Sequence, residues 1–529
     1  MSALTNTTSY MSESTLGKKD EGGTGQVAPI ATSTLPAIVE DDLDEGAKLA
    51  GTVATQFTEE EQNAVRRKID RVVVPLLAAV YFSQFLDKNS INYSSVMGLP
   101  ITGLHYNLVT MAFYVGFLIF EMPQATLAQR FPLAKYLGVN IILWAAMLFL
   151  HAVSGKWGVF FLFRVLLGAF ECCVSPILIA QVGMFYKKSE QAKRVGSFYV
   201  MNGITMLVGG ILAWGITHYN GDNISNWRII YLVLGSMALI VGIAILIWLP
   251  DSPATARFLT EREKLIALER VRGNQSGTVS HAFKKSQAKE ALTDPMVWLF
   301  ISLMAIISVP NAAITSFSSI LIKSFGYTSQ EALLMNMPAG AVAIVTTITV
   351  CVLADRYNLR MLPLLLSVIP SVAGMAILVA YSGKGSNVEH KGPLLAGILL
   401  CQTFVSGVAL LFSFSAANFA GSTKKAVVNG LLLVAFGGGN LAGSQAFNGA
   451  DAPDYIPGKI ALFVLLALLI PGTLGMHFYV GRRNAKKAAE VSRLVQENGW
   501  TEEDLQAEKD RLAFADLTDR QNPFFSYIR

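Results

Sequence analysis

The chain is 529 residues long, 52% hydrophobic and 15% charged, with a mean hydropathy of +0.45. Soluble domains carry about 25% charged residues, so this composition excludes a soluble globular protein and indicates a membrane protein in contact with a lipid bilayer. The net charge of +5 sits in short loops and is no nucleic-acid signature, and the four cysteines lie in apolar runs without CxxC or Cys/His spacing, which implies neither a disulfide framework, a zinc site nor a cofactor.

No cleavable signal peptide is predicted, and residues 1–58, polar and acidic at 40–45, read as a disordered tail. Apolar runs of membrane length follow at about 71–93, 107–128, 136–154, 157–181, 195–217, 228–249, 296–322, 332–354, 361–381, 393–418, 427–447 and 460–480. They predict an all-α membrane protein with twelve transmembrane helices.

Lys and Arg fall in alternate loops. One set carries Arg66-Arg67-Lys68, Arg130 and Lys135, Lys187-Lys188, Lys193-Arg194, the stretch 257–289, Arg356 and Arg360, Lys424-Lys425 and Arg482-Arg483. The other set holds little beyond Lys156, Lys323, Lys384, Lys391 and Lys459. The positive-inside rule predicts that the first set, both termini and the central loop are cytosolic. The expected organisation is a tail (1–58), a six-helix bundle (59–249), a central loop (250–295), a second six-helix bundle (296–480) and a tail (481–529). The central loop opens with the stop LPDSP at 249–253, and Thr260 to Glu263 form a capping box for an amphipathic surface helix with Leu265, Leu268 and Val271 on one side. A further helix is expected over about 485–497. Asn223 opens a glycosylation sequon in a short membrane-proximal loop, where its use is doubtful.

The fourth run stands apart because it carries Arg164 and Glu171 in its middle. An ionisable group at a bilayer centre costs about 2.5–3.5 kcal/mol on insertion scales, so two on one helix need a reason. Seven residues make two turns, which puts both on one side, about 10 Å apart in depth. The first run contains Asp87-Lys88-Asn89. Counted from the outer ends of their helices, Lys88 and Arg164 lie at one level, roughly 9–11 Å below the surface. Two cations at one level form an anion trap, although Lys88 could instead snorkel to the interface. Glu171, deeper in apolar surroundings but near Arg164, suits proton coupling; a plain structural ion pair is the alternative.

Leu127-Ala128-Gln129-Arg130 after the second run is echoed by Leu353-Ala354-Asp355-Arg356 after the eighth, as expected of repeated six-helix halves. LADRYNLR at 353–360 resembles the loop motif of the major facilitator superfamily, with Gln129 replacing the acidic residue in the first copy. The chain further resembles the anion:cation symporter family and, within it, the fungal allantoate permease family. The residues that carry this are Phe85 to Asn89 (the family usually has Arg where Lys88 stands), Glu121-Met122-Pro123, Arg164, Gly168, Glu171, Pro176, Phe185 to Lys188, Arg194, LPDSP, NFAGSTKK at 418–425, Asp451 to Tyr455, and Asp516 to Pro523.

The resemblance implies the major facilitator fold, two pseudo-symmetric bundles with spans 1, 4, 7 and 10 around a central cavity. It implies substrate binding by Lys88, Arg164 and Asn418, proton coupling by Glu171 with Asp87 as a second proton site or a salt-bridge partner, and gating by Arg130, Asp355, Arg356 and Arg360. The expected activity is proton-coupled import of a small organic anion (allantoate or another ureide, a vitamin-like monocarboxylate, or a small peptide) across the plasma membrane by a monomer. An exporter of an anionic metabolite is the alternative, and a non-transporting sensor a weaker one. With no nucleophile–base pair, metal cluster or nucleotide loop in the spans, an enzyme is not expected.

Overall fold

The structure is a computed structural model describing residues 57–128, 130–219, 221, 223–272, 284–382, 389–506 and 517–529. The predicted tail over 1–56, Gln129, much of the basic central stretch (273–283), Lys384 and Asp516 lie outside the described residues. Among the described residues, twelve helices are long and apolar enough to cross a membrane. Those of the first half are span 1 (Glu59–Val96), span 2 (Gly103–Ala128), span 3 (Leu133–Val153), span 4 (Trp157–Phe185), span 5 (Arg194–Ile216) and span 6 (Asn226–Trp248). Those of the second half are span 7 (Pro295–Ser324), span 8 (Ser329–Arg356), span 9 (Met361–Tyr381), span 10 (Lys391–Asn418), span 11 (Ser422–Gly443) and span 12 (Ile456–Asn498). Large apolar side chains such as Ile240, Val345 and Phe478 are exposed, as a lipid-facing belt requires.

Two spans run past their apolar stretches. Span 1 begins at Glu59, where Thr58 and Glu61 make a capping box. Span 12 continues unbroken to Asn498 and absorbs the helix expected over 485–497. Between the halves, a helix over Glu261–Arg272 is capped by Thr260 and Glu263, as the sequence predicts. A short helix over Lys285–Thr293 leads into span 7.

Several spans are interrupted. Span 1 breaks at Asn89, whose side-chain amide donates to the Phe85 carbonyl at 2.8 Å and so competes with the helix ladder. Span 4 breaks at Cys172-Cys173, because Pro176 has no N–H to return to the Cys172 carbonyl. Span 10 tightens into a 3₁₀ turn over Gln402–Phe404. The first two interruptions fall beside Asp87-Lys88 and Glu171.

Glycines set the closest approaches. A Cβ on Gly116 would lie 1.9 Å from the Val165 carbonyl oxygen, and one on Gly168 2.0 Å from that of Phe113. Spans 2 and 4 therefore touch backbone to backbone, which holds the face carrying Arg164 and Glu171 in place.

We term the end of the bundle with the Arg66, Glu190 and Arg483 side chains the basic face. Hydrogen bonds between the halves gather at the opposite end. Asn92 donates to Ser318 Oγ at 3.0 Å and accepts from the Ser319 N–H at 2.9 Å. Tyr106 donates to the Ser316 carbonyl at 2.7 Å, and Asn107 to the Phe447 carbonyl at 2.8 Å.

Candidate functional site

The mid-span charges of the first half assemble into one buried cluster, but not in the predicted arrangement. Arg164 is 2% exposed and donates to Ser90 Oγ at 2.9 Å and to Tyr231 Oη at 3.1 Å. Ser90 in turn donates to Asp87 Oδ1 at 3.4 Å, so one hydroxyl links the guanidinium to a carboxylate. Tyr231 continues the chain to Ser94 at 3.2 Å. Asp87 and Glu171, both 1% exposed, lie within side-chain hydrogen-bonding reach of each other. Yet both Glu171 oxygens and Asp87 Oδ2 have no donor among the described residues. Two carboxylates facing each other with no N–H or O–H between them form a pair that a single proton would complete.

Lys88 takes another direction. Successive helical residues diverge by about 100°, so the Asp87 carboxylate turns toward span 4 while the Lys88 ammonium turns toward the second half. There it is half-buried among the rings of Phe85 (5.6 Å), Tyr114 (5.3 Å) and Phe436 (5.6 Å), the last contributed by span 11. Arg164 and Lys88, expected at one level, thus meet different surroundings. Arg164 is enclosed by spans 1, 4 and 6, and Lys88 presents its charge to the seam between halves under an aromatic cage. Asp87, linked to Arg164 through Ser90, is the residue that joins Arg164 to Glu171.

Asn418, expected as a substrate ligand, bonds to the C-terminal tail. It is fully buried at the end of span 10, where it donates to the Ile528 carbonyl at 3.0 Å and accepts from the Ile528 N–H at 2.7 Å. Its amide is consumed by the C-terminal tail. The loop motif forms in the second half, where Arg360 pairs with Asp355 at 3.1 Å and donates to the Ala354 carbonyl at 2.7 Å and to Ser413 at 2.9 Å. Arg360 and Met361 also donate backbone N–H groups to the Arg529 carbonyl. Arg130 and Arg356 are exposed.

Several residues of the cluster escaped the sequence reading. Ser90 and Tyr231 gave no signal, since hydroxyls are common in spans. His151 in span 3 offered one, as an ionisable residue inside an apolar run. It is fully buried, stacks on Tyr231 with centroids 5.3 Å apart, and leaves Nε2 without a partner.

The basic face holds two ion networks. In the first half Glu190 pairs with Arg66 at 3.3 Å and Arg270 at 2.7 Å, and Arg194 with Asp70 at 2.7 Å. Burial pushes the Glu190 carboxyl up, but the Arg270 charge, the Arg66 bond and the Lys187 N–H outweigh it and hold it below its ordinary value. In the second half Lys424, predicted as a loop cation, is fully buried against Asp519 (2.7 Å), Glu290 (2.9 Å) and Asp294 (3.3 Å). Arg483 donates to Asp294 as well, at 3.1 Å through one nitrogen. Burial raises Asp294, yet the Arg483 bonds and charge, with Lys424, hold it below the ordinary 3.8. Burial and the Asp519 charge push the Tyr527 phenol up. The motif NFAGSTKK is thus the seat of the C-terminal tail.

Surface cavities lie away from the cluster. One of about 640 Å³ opens at the end opposite the basic face, beside His105, Lys156 and Trp157. Another of about 490 Å³ lies at the foot of span 12.

Known proteins share both sequence and fold with this chain. The profile of the Major Facilitator Superfamily matches residues 72–444. The chain is 35% identical to the allantoate permease of Saccharomyces cerevisiae over 92% of this chain and 91% of that one. It is 30% identical to a thiamine pathway transporter of the same yeast, over 92% and 90% of the two chains. With that yeast's high affinity cysteine transporter the identity is 27%, over 89% and 92%. Among solved structures, a bacterial homologue of the human lysosomal transporter Spinster, inward-facing and unoccupied, superposes with a TM-score of 0.56 at 14% identity, covering 79% of this chain and 97% of its own. At that identity the likeness is one of fold.

Proposed function

Because the chain belongs to the major facilitator superfamily and, within it, to the fungal allantoate permease family, we propose that it imports a small organic anion together with a proton. Membership makes it a multi-pass secondary transporter rather than an enzyme. The observation that carries the finer reading is the enclosed Asp87–Glu171 pair, donorless and tied through Ser90 to Arg164.

The charges suggest how coupling works. Asp87, Glu171, Lys88 and Arg164 sum to zero when all are ionised. One proton on the carboxyl pair supplies its missing hydrogen bond and leaves the cluster at +1, a charge that one monocarboxylate neutralises. Lys88, half-buried at the seam, meets the anion first. Arg164, freed from Ser90 and Tyr231 as the halves rock, can grip it through two parallel bonds. Release of the proton restores neutrality, and the anion then has no net attraction holding it. The expected exchange is one proton per monovalent anion, with no net charge moved.

In this reading the basic face lies in the cytosol, the protein works as a monomer in the plasma membrane, and its substrate is a ureide or similar monocarboxylate. The test is uptake of labelled allantoate and a panel of other organic anions into a transporter-deficient host at two external pH values. Import of a panel anion should rise at the lower pH. Glu171→Gln should keep substrate exchange and lose pH-driven accumulation; undiminished accumulation in that variant would sink the coupling role.

A further inference from the structure

Where span 12 leaves its apolar stretch, the helix continues and one of its faces becomes basic. Tyr479, Arg482, Arg483, Lys486, Lys487 and Glu490 recur at three- and four-residue spacing along that face and line a single cavity of about 490 Å³. The other wall comes from the C-terminal tail, which contributes Arg520 and Tyr527. The last apolar residue of the run is Val480. At 1.5 Å per residue the cavity spans roughly the first 15 Å beyond the hydrocarbon, a stretch that includes the depth of lipid phosphates.

Five cations line it against one carboxylate, Glu490. Two of the five are engaged in building the site. Arg483 is held by Asp294 and Asp519, and Lys487 donates to the tail carbonyls of Arg520 at 2.9 Å and Asn522 at 2.5 Å. Arg482, Lys486 and Arg520 are exposed and make no ion pair among the described residues. Three cations without counter-charge, converging from a rigid helix and a docked strap, repel one another unless an anion joins them.

We propose that this pocket binds the polyphosphorylated headgroup of an anionic membrane lipid, of the phosphoinositide class. A headgroup with a single phosphodiester charge leaves most of the lining unneutralised, whereas one with several phosphate charges matches it. Arginine forks suit phosphate oxygens in bidentate geometry. Basic pockets at headgroup depth beside a transmembrane helix have the position such lipids require. Because Lys487 bonds the tail and Tyr527 belongs to it, and both line the pocket, an occupied pocket also clamps the tail.

The experiment uses purified full-length protein in phosphatidylcholine nanodiscs. Short-chain phosphatidylinositol bisphosphate, short-chain phosphatidylserine and soluble inositol trisphosphate are titrated separately, with binding read by native mass spectrometry. The bisphosphate lipid should bind at least about tenfold more tightly than phosphatidylserine. The combined variant Arg482→Ala, Lys486→Ala, Arg520→Ala should weaken its binding about 100-fold, each cation at the membrane surface supplying about a fivefold share. Glu490→Gln, which removes the opposing carboxylate, should tighten binding several-fold, a gain that misfolding cannot produce. Wild-type affinity in the triple variant, or no change in Glu490→Gln, overturns the site. Binding of the soluble trisphosphate as tight as that of the lipid overturns the lipid assignment in favour of a soluble phosphate ligand.

Discussion

The first half keeps its buried charges in mid-span, where Asp87, Arg164 and Glu171 sit at 1–2% exposure. The second half has neutral amides inside its spans: Asn311 donates to Asn440 Oδ1 at 2.8 Å, and Asn336, nearer the end opposite the basic face, to Ser319 at 2.8 Å. Of its own buried charges, Lys424 meets three carboxylates at the basic face, and Lys459, at the opposite end, bonds Ser382. The contrast separates two uses of a buried ion. At the foot, Lys424 and Arg483 each meet carboxylates of opposite sign, so the network behaves as a fastening for the tail. In mid-span the carboxylate pair lacks a donor, and an incomplete network is one that can change state.

Breaking either network should be costly, but in different observables. Arg164→Ala strands Asp87 and Glu171 without their cation; removal of one partner from a buried pair costs about 3–5 kcal/mol. Uptake should vanish and the protein melt earlier, and Arg164→Lys should rescue poorly because the planar fork is lost. Normal transport by Arg164→Ala would show the site to be elsewhere. Lys424→Met should be nearly as destabilising, again about 3–5 kcal/mol, but its signature is a C-terminal tail cut readily by protease. A tail that stays protected in this variant would contradict the fastening role.

Smaller effects sharpen the contrast. Asn418→Ala removes two hydrogen bonds to Ile528, worth about 1 kcal/mol each. Tail protection should fall while KM for the substrate stays unchanged; a raised KM would restore Asn418 to the substrate site. Ser90→Ala, which cuts the link between Arg164 and Asp87, should cost about 1 kcal/mol, visible as a shift in the pH profile of uptake larger than any shift in melting temperature. The foot network should be insensitive to physiological pH. Asp294 is held below 3.8, so its contribution is fully present above that value and is lost only as pH falls beneath it. Tail protection by protease assay should therefore be flat from pH 8 to about 5, and a loss near neutrality would mean another group controls docking.

Much of this architecture was legible in the chain because a bilayer permits few solutions. Every span must satisfy its own backbone, so apolar length alone counts twelve helices, and the cost of charge in lipid singles out Arg164, Glu171 and the Asp87-Lys88 pair without any contact being known. Directions and partners were not legible. Spacing along one helix put Arg164 and Glu171 on a common face, but it could not reveal that Asp87 turns toward them while Lys88 reaches the rings of Tyr114 and Phe436, since that depends on how span 1 is rotated against span 4. Loop position made Lys424 look solvated, and only the folded tail, arriving from about a hundred residues later with Asp519, turned it into a buried ion. Local composition sets what must be inside the membrane; which group faces which is decided by the packing of helices distant in sequence, where glycine contacts such as Gly116 on Val165 fix rotation and depth.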